Sequence, residues 1–183
     1  IENKLEKIII ESGVSNQFDV ASFGIIDFKK KKFESYSCAL GEMEWVEKKY
    51  YFDLASVTKP LTIGMLYLLY PDKINKDLKL LLEHRAGLPS WSILSTENWK
   101  EQILSYKIKE SKTLYSDLGA IRAQLFFEEL SNQELYKTCK KHWDKEVCHW
   151  SELPIDADCL VTGQRNKKDI IADVHDPNAF NIN

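Results

Sequence analysis

Apolar residues first recur at three- and four-residue intervals. Ile1, Leu5, Ile8 and Ile9 fall on one face of a helix, which Gly13 is placed to end. The period then changes. Residues 18–28 and 33–40 are β-like and flank Lys29, Lys30, Lys31 and Lys32, a pattern that predicts an antiparallel hairpin with a lysine-rich turn. Residues 41–53 lead back through Tyr50, Tyr51 and Phe52 to Ser56. From Ser56 the pattern is helical and apolar almost all round, with Leu61, Ile63, Met65, Leu66, Leu68 and Leu69. A helix without a polar side belongs in the middle of a domain. Residues 78–84 predict a short helix closed by Gly87 and stopped by Pro89, and 98–106 and 118–130 predict two more. Over 133–150, Leu135, Cys139, Trp143, Val147 and Trp150 lie on one stripe, which predicts a longer helix. After Pro154 the chain reads as loop. The expected fold class is α+β in a single domain over 1–183: an antiparallel sheet begun by the hairpin, flanked by helices, with a helical lobe.

Composition narrows the function classes. With 44% hydrophobic residues, eight Phe, eight Tyr and five Trp, the chain has material for a substantial core. A formal net charge of -3 gives no basic footprint for nucleic acid, and the four lysines suit a turn in water. No apolar stretch is long enough to span a bilayer. Residues 1–10 lack the basic-then-apolar layout of a secretion signal. The four cysteines leave disulfides and compartment open. In CKKHWDKEVCHW, at 139–150, two Cys and two His are ligand types that zinc prefers. Their spacing is unlike the paired finger patterns and Cys139 lies on the apolar stripe, so the segment is read as metal-free; a Cys139–Cys148 disulfide stays open.

The stretch FDLASVTK, at 52–59, places a serine and a lysine three residues apart. On a helix such positions share a face, so the Ser56 hydroxyl and the Lys59 amine can meet. A serine in the first turn also lies at the positive end of the helix dipole, which favours a developing oxyanion. Apolar neighbours would desolvate Lys59 and lower its pKa toward that of a proton acceptor. The bland alternative is a serine cap with a snorkelling lysine. The tetrad alone leaves both open.

Two further segments follow in order: LLEHRAGLPSW at 81–91 and TLYSDLGAIRAQLFFEEL at 113–130. Together with FDLASVTKPLT they resemble the serine β-lactamase and penicillin-binding-protein superfamily, in its class C and esterase-like branch, over nearly the whole chain. The resemblance implies that Ser56 attacks a carbonyl and becomes acylated, with Lys59 as the base or as the partner that activates one. Tyr115, Ser116 and Asp117 occupy the second motif. There Tyr115 relays a proton to the leaving group, and Asp117 faces substrate where many members carry Asn. His84 sits at a helix end before a Gly cap and reads as structural. VHDPNAF, at 174–180, resembles a segment of one subgroup, which implies that His175 and Asn178 rim the site and contact substrate. The residues alone equally suit an Asp-Pro turn.

The third motif of the family, a Lys-Thr-Gly or His-x-Gly strand carrying an oxyanion donor, has no counterpart here, since VTG at 161–163 precedes VHDPNAF and lacks the cationic residue. The expectation is therefore a chain incomplete at its C-terminus, with an open sheet edge that a second chain or fragment would complete. The resemblance implies a cell-wall peptide, β-lactam or small ester as substrate, no metal or organic cofactor, and a periplasmic or extracellular location. The alternative is a non-catalytic relative that binds peptidoglycan peptides or a protein partner.

Overall fold

The computed structural model describes residues 1–14 and 17–182. The fold is α+β, and the chain forms two compact units, Ile1–Tyr51 and Phe52–Asn183, where the sequence reads as one domain.

In the first unit, helix α1 (Glu2–Ser12) ends as expected at Gly13, whose φ of 69° lets its N–H reach back to the Ile10 carbonyl. Leu5 and Ile9 are buried, but Ile1 and Ile8 face water, so the stripe is narrower than the spacing suggests. Strands β1 (Val20–Asp27) and β2 (Lys32–Ala39) form the expected hairpin, with Val20 opposite Ala39 and Asp27 opposite Lys32. Its turn is closed by Asp27, whose Oδ1 accepts the N–H groups of Lys29 and Lys30 at 3.0 Å each, while the lysine side chains stand in water. A third strand, β3 (Glu44–Val46), pairs with the far side of β2. Three residues are too few to show a period of two, and the sequence reading missed it. The sheet order is β1-β2-β3, so β1 and β3 are its edges among the described residues. Ile9, Cys38 and Leu40 make the core, with Phe23 and Trp45 beside them.

In the second unit the segment after Phe52 changes its winding twice. A 3-10 turn (Ala55–Val57) leads into a π turn (Pro60–Gly64) and then helix α2 (Met65–Leu69). Thr62, Ile63 and Leu66 are buried, but Leu68 is 76% exposed and Leu69 44%. The segment expected to be enclosed on all sides is covered on one. Asn75 caps α3 (Lys76–Leu82), its side chain accepting the Leu78 N–H at 2.8 Å. Helices α4 (Trp99–Ser105), α5 (Asp117–Ser131) and α6 (Leu135–Lys140) follow. Leu78, Leu81, Ile103, Leu118, Ala123, Phe127 and Cys139 form the centre of a core that also takes in Ile63 and Leu66.

The long helix expected over 133–150 stops at Lys140, because Asp144 draws the following chain into a turn. Its carbonyl accepts from Val147 N–H at 2.9 Å and its carboxylate from Glu146 N–H at 3.0 Å. Trp143 still anchors the segment, donating its indole N–H to the Leu61 carbonyl at 2.8 Å. The presumed loop after Pro154 is also corrected. It holds a second hairpin, β4 (Val161–Arg165) and β5 (Lys168–Ile171), and helix α7 (Pro177–Ile182). Asn166 and Lys167 both have positive φ, the geometry of a two-residue hairpin turn, but without the glycine that usually announces one. All four cysteines are free, and burial pushes the Cys139 thiol up to about 11. Among the described residues no cluster of His, Cys, Asp or Glu is arranged to hold a metal ion, and no helix is long and apolar enough to cross a membrane.

Candidate active site around Ser56

The turn that presents Ser56 begins at Asp53. Its Oδ1 accepts the Ala55 N–H at 2.7 Å, and Ala55 is held at φ 45°, in the left-handed region. A non-glycine residue there costs on the order of 1 kcal/mol or more and persists only where its surroundings hold it. Ser56 follows directly, exposed, and Lys59 comes one helical turn later, immediately before the π turn.

Two side chains converge on the hydroxyl. Lys59 Nζ donates to Ser56 Oγ at 3.0 Å and the Tyr115 phenol donates to the same oxygen at 2.7 Å. Asp117 Oδ1 lies 2.7 Å from Lys59 Nζ, and that ammonium stands 5.0 Å from the centre of the Tyr115 ring. Four residues separated by as many as 61 positions thus share one hydrogen-bonded cluster. The observed partners of the Ser56 oxygen are side chains, not the main-chain N–H of a helix it would cap.

Lys59 departs from expectation in its charge. It is half-buried, and burial pulls its pKa down, but the hydrogen bonds and charge of Asp117 and Tyr115 outweigh this and hold it above the ordinary lysine value. Lys59 is therefore an ammonium at neutral pH. The sequence argument counted the apolar neighbours and had no means to place a carboxylate against the amine.

The loop that carries Tyr115 is stitched to the chain after α3, main chain to main chain. The His84 carbonyl accepts from Leu114 N–H at 2.8 Å, Ser90 O accepts from Asp117 N–H at 2.9 Å, and Ser111 N–H donates to Arg85 O at 2.9 Å. His84 Nδ1 accepts the Ser116 N–H at 3.2 Å, which puts the ring proton on Nε2, and the ring packs on Tyr115 with centres 4.6 Å apart. Burial first, and then the Lys59 charge, lower the His84 pKa and favour the neutral ring. Ser116 caps α5 by accepting the Gly119 N–H at 2.9 Å and donates to Pro89 O at 2.6 Å. Gly87 completes the corner: its φ is 73°, and a Cβ there would lie 2.8 Å from the Lys109 carbonyl oxygen.

The C-terminal residues have different places. Asp176 caps α7, accepting the Ala179 N–H at 2.8 Å. Asn178 is 2% exposed, with Nδ2 donating to Ser92 O at 2.8 Å and Oδ1 accepting from Leu94 N–H at 3.0 Å. Both ends of its amide are engaged by main chain, so Asn178 holds the 92–94 loop where the sequence suggested a substrate contact. His175 donates Nδ1–H to Asp53 Oδ2 at 2.6 Å. Asp53 is the site residue that the sequence reading passed over, although an Asp two positions before a turn residue is a known signal for a side-chain-closed turn.

No protein-family model, curated protein or solved structure matches the chain.

Proposed function

We propose that this chain is a serine hydrolase that acts on an amide or ester through an acyl-enzyme at Ser56. The observation that carries the reading is the double engagement of Ser56 Oγ, by Lys59 Nζ at 3.0 Å and Tyr115 OH at 2.7 Å. Such reach is what proton transfer to and from a nucleophile requires. Since Lys59 is charged, the proton acceptor in this scheme is the Tyr115 oxygen, which must first give up its own proton, with the ammonium of Lys59 beside it. Ser56 Oγ adds to the substrate carbonyl as its proton passes to the Tyr115 oxygen. The tetrahedral adduct collapses, the carbon–heteroatom bond breaks, and Tyr115 returns the proton to the departing amine or alcohol. Water then enters by the same route in reverse, leaving the free acid and a protonated Ser56. No step calls for a metal or an organic cofactor. Taken with the motif resemblance, the substrate class is a cell-wall peptide, a β-lactam or a small ester, met in the periplasm or outside the cell.

A fluorophosphonate or penicillin probe tests the reading. Peptide mass spectrometry should find the adduct on Ser56 and none on Ser56→Ala. A folded protein that takes up neither probe would sink the nucleophile and leave a binding role for this cluster.

A further inference from the structure

The four residues just described do not account for the strain beside the nucleophile. Ala55 keeps its φ of 45° because the Asp53 carboxylate grips its N–H, and the other oxygen of that carboxylate is itself gripped, by His175 at 2.6 Å. Across 122 positions of sequence, the imidazole is thus coupled through one carboxylate to the main chain adjoining Ser56. Without it, that oxygen of Asp53 would keep only the long bond from the His175 main-chain N–H, at 3.5 Å, and the carboxylate would be held less firmly against the turn.

The histidine is anchored in turn. Arg165, at the end of β4, reaches the segment before His175 in two ways, through the Asp173 carboxylate at 3.0 Å and through the Val174 carbonyl, and its guanidinium lies 3.6 Å from the centre of the Phe180 ring. Asp176 caps α7 directly after His175, and Asn178 ties that helix to the 92–94 loop. The segment is therefore fixed on both sides of the imidazole, as a group must be if it is to impose a position on something else.

We infer that Asp53 and His175 are a positioning pair for the nucleophile, with Arg165 as its support, and that His175 acts on Ser56 through Asp53 and the Ala55 turn and not by touching substrate. The inference rests on Ser56 being the nucleophile, and it replaces the substrate contact that the motif suggested for His175. Neither residue approaches the Ser56 oxygen in the way Lys59 and Tyr115 do, so a disturbed pair would leave binding of a small probe intact while misaiming the attack. Misplacement of a reacting atom by about 1 Å can cost ~10²-fold in rate.

The test compares probe kinetics in the wild type, His175→Ala and His175→Asn, whose amide Nδ2 can stand where the imidazole Nδ1 stands. For His175→Ala the maximal rate of fluorophosphonate labelling at Ser56 should fall by ~10- to 100-fold with the probe's half-saturation concentration unchanged. His175→Asn should recover most of that rate. Amide hydrogen exchange supplies a second readout: the 53–58 segment should exchange faster in His175→Ala while α5 keeps its protection. Wild-type labelling in His175→Ala, or a loss carried by weaker probe binding, overturns the inference. If the wild type itself takes no label, the nucleophile reading fails separately. Exchange then decides the pair alone, with faster 53–58 amides upholding it as the clamp on the turn and unchanged amides refuting it.

Discussion

Ser56 stands between two flanks that are built differently. On one, Tyr115 rides on a loop and Asp117 opens α5, both joined to the chain after α3 by main-chain bonds, with Ser116 buried beneath and Gly87 fitted where no side chain has room. On the other, Asp53 and His175 meet side chain to side chain, and Arg165 steadies the segment from which the histidine comes. The first flank derives its geometry from the fold, because backbone groups move only if the core moves. The second derives it from groups that can rotate and titrate. Burial pulls the Asp53 carboxyl up, but hydrogen bonds from His175 and the Ala55 N–H outweigh it and hold the pKa below the ordinary value, so the carboxylate is charged at neutral pH and is lost in acid. On the proposed mechanism Tyr115, which exchanges the proton with Ser56, thus sits on the rigid side, and the side proposed to aim Ser56 is adjustable.

The largest expected effect comes from removing the ammonium that joins Ser56 to the rigid flank. Lys59→Met should lower the rate of Ser56 labelling by ~10²–10⁴-fold, the usual range for loss of a group in a proton-transfer unit. Labelling at the wild-type rate would mean that Tyr115 works unaided. Next is Gly87→Ala, which strikes the backbone lock itself. A side chain at φ 73°, pressed against the Lys109 carbonyl, should cost about 2 kcal/mol in urea denaturation, with labelling by the folded fraction also reduced. A loss below about 0.5 kcal/mol, the scale of an ordinary surface change, would show the flank to be softer than its hydrogen bonds imply.

The smallest effect sharpens the comparison through pH. Asp117 is among the groups that raise the Lys59 pKa, and a carboxylate disfavours loss of a proton by any neighbour. Asp117→Asn removes that charge, so the deprotonated form of the cluster should appear earlier on raising pH. The rising limb of the labelling-rate profile should move to lower pH. A limb that stays in place, or moves to higher pH, would disconnect Asp117 from the proton chemistry.

Much of the site was legible in the sequence because its residues sit next to structural punctuation. Ser56 and Lys59 are one helical turn apart, and Tyr115 immediately precedes the Ser116 cap of α5. Local period is enough to place the helices that carry them, as it placed α1, the first hairpin and α3 to α5, but it was the motif resemblance that singled out Tyr115. What escaped is long-range. Nothing local says that Asp53 meets His175, that Asp117 turns to Lys59, or that Asn178 is buried under the 92–94 loop. The second hairpin escaped for a different reason: its Asn166-Lys167 turn adopts positive φ without glycine. The helix expected beyond Lys140 failed because one aspartate outweighed a good apolar stripe. The breadth of apolar character after Ser56 was read correctly as a pattern and wrongly as burial, since the neighbours cover only the Thr62, Ile63 and Leu66 side.

The π turn at Pro60–Gly64 makes the site sensitive to the length of this helix. Such a turn accommodates one residue more than regular α-helical winding. Each helical residue accounts for about 100° of rotation about the axis. Trimming one position between Pro60 and Gly64 would regularise the winding, but with Ile63 and Leu66 kept in the core it would swing Ser56 and Lys59 round the axis, away from Tyr115. Substitutions along the helix are therefore graded steps, whereas deletion of a single residue within it is a cliff.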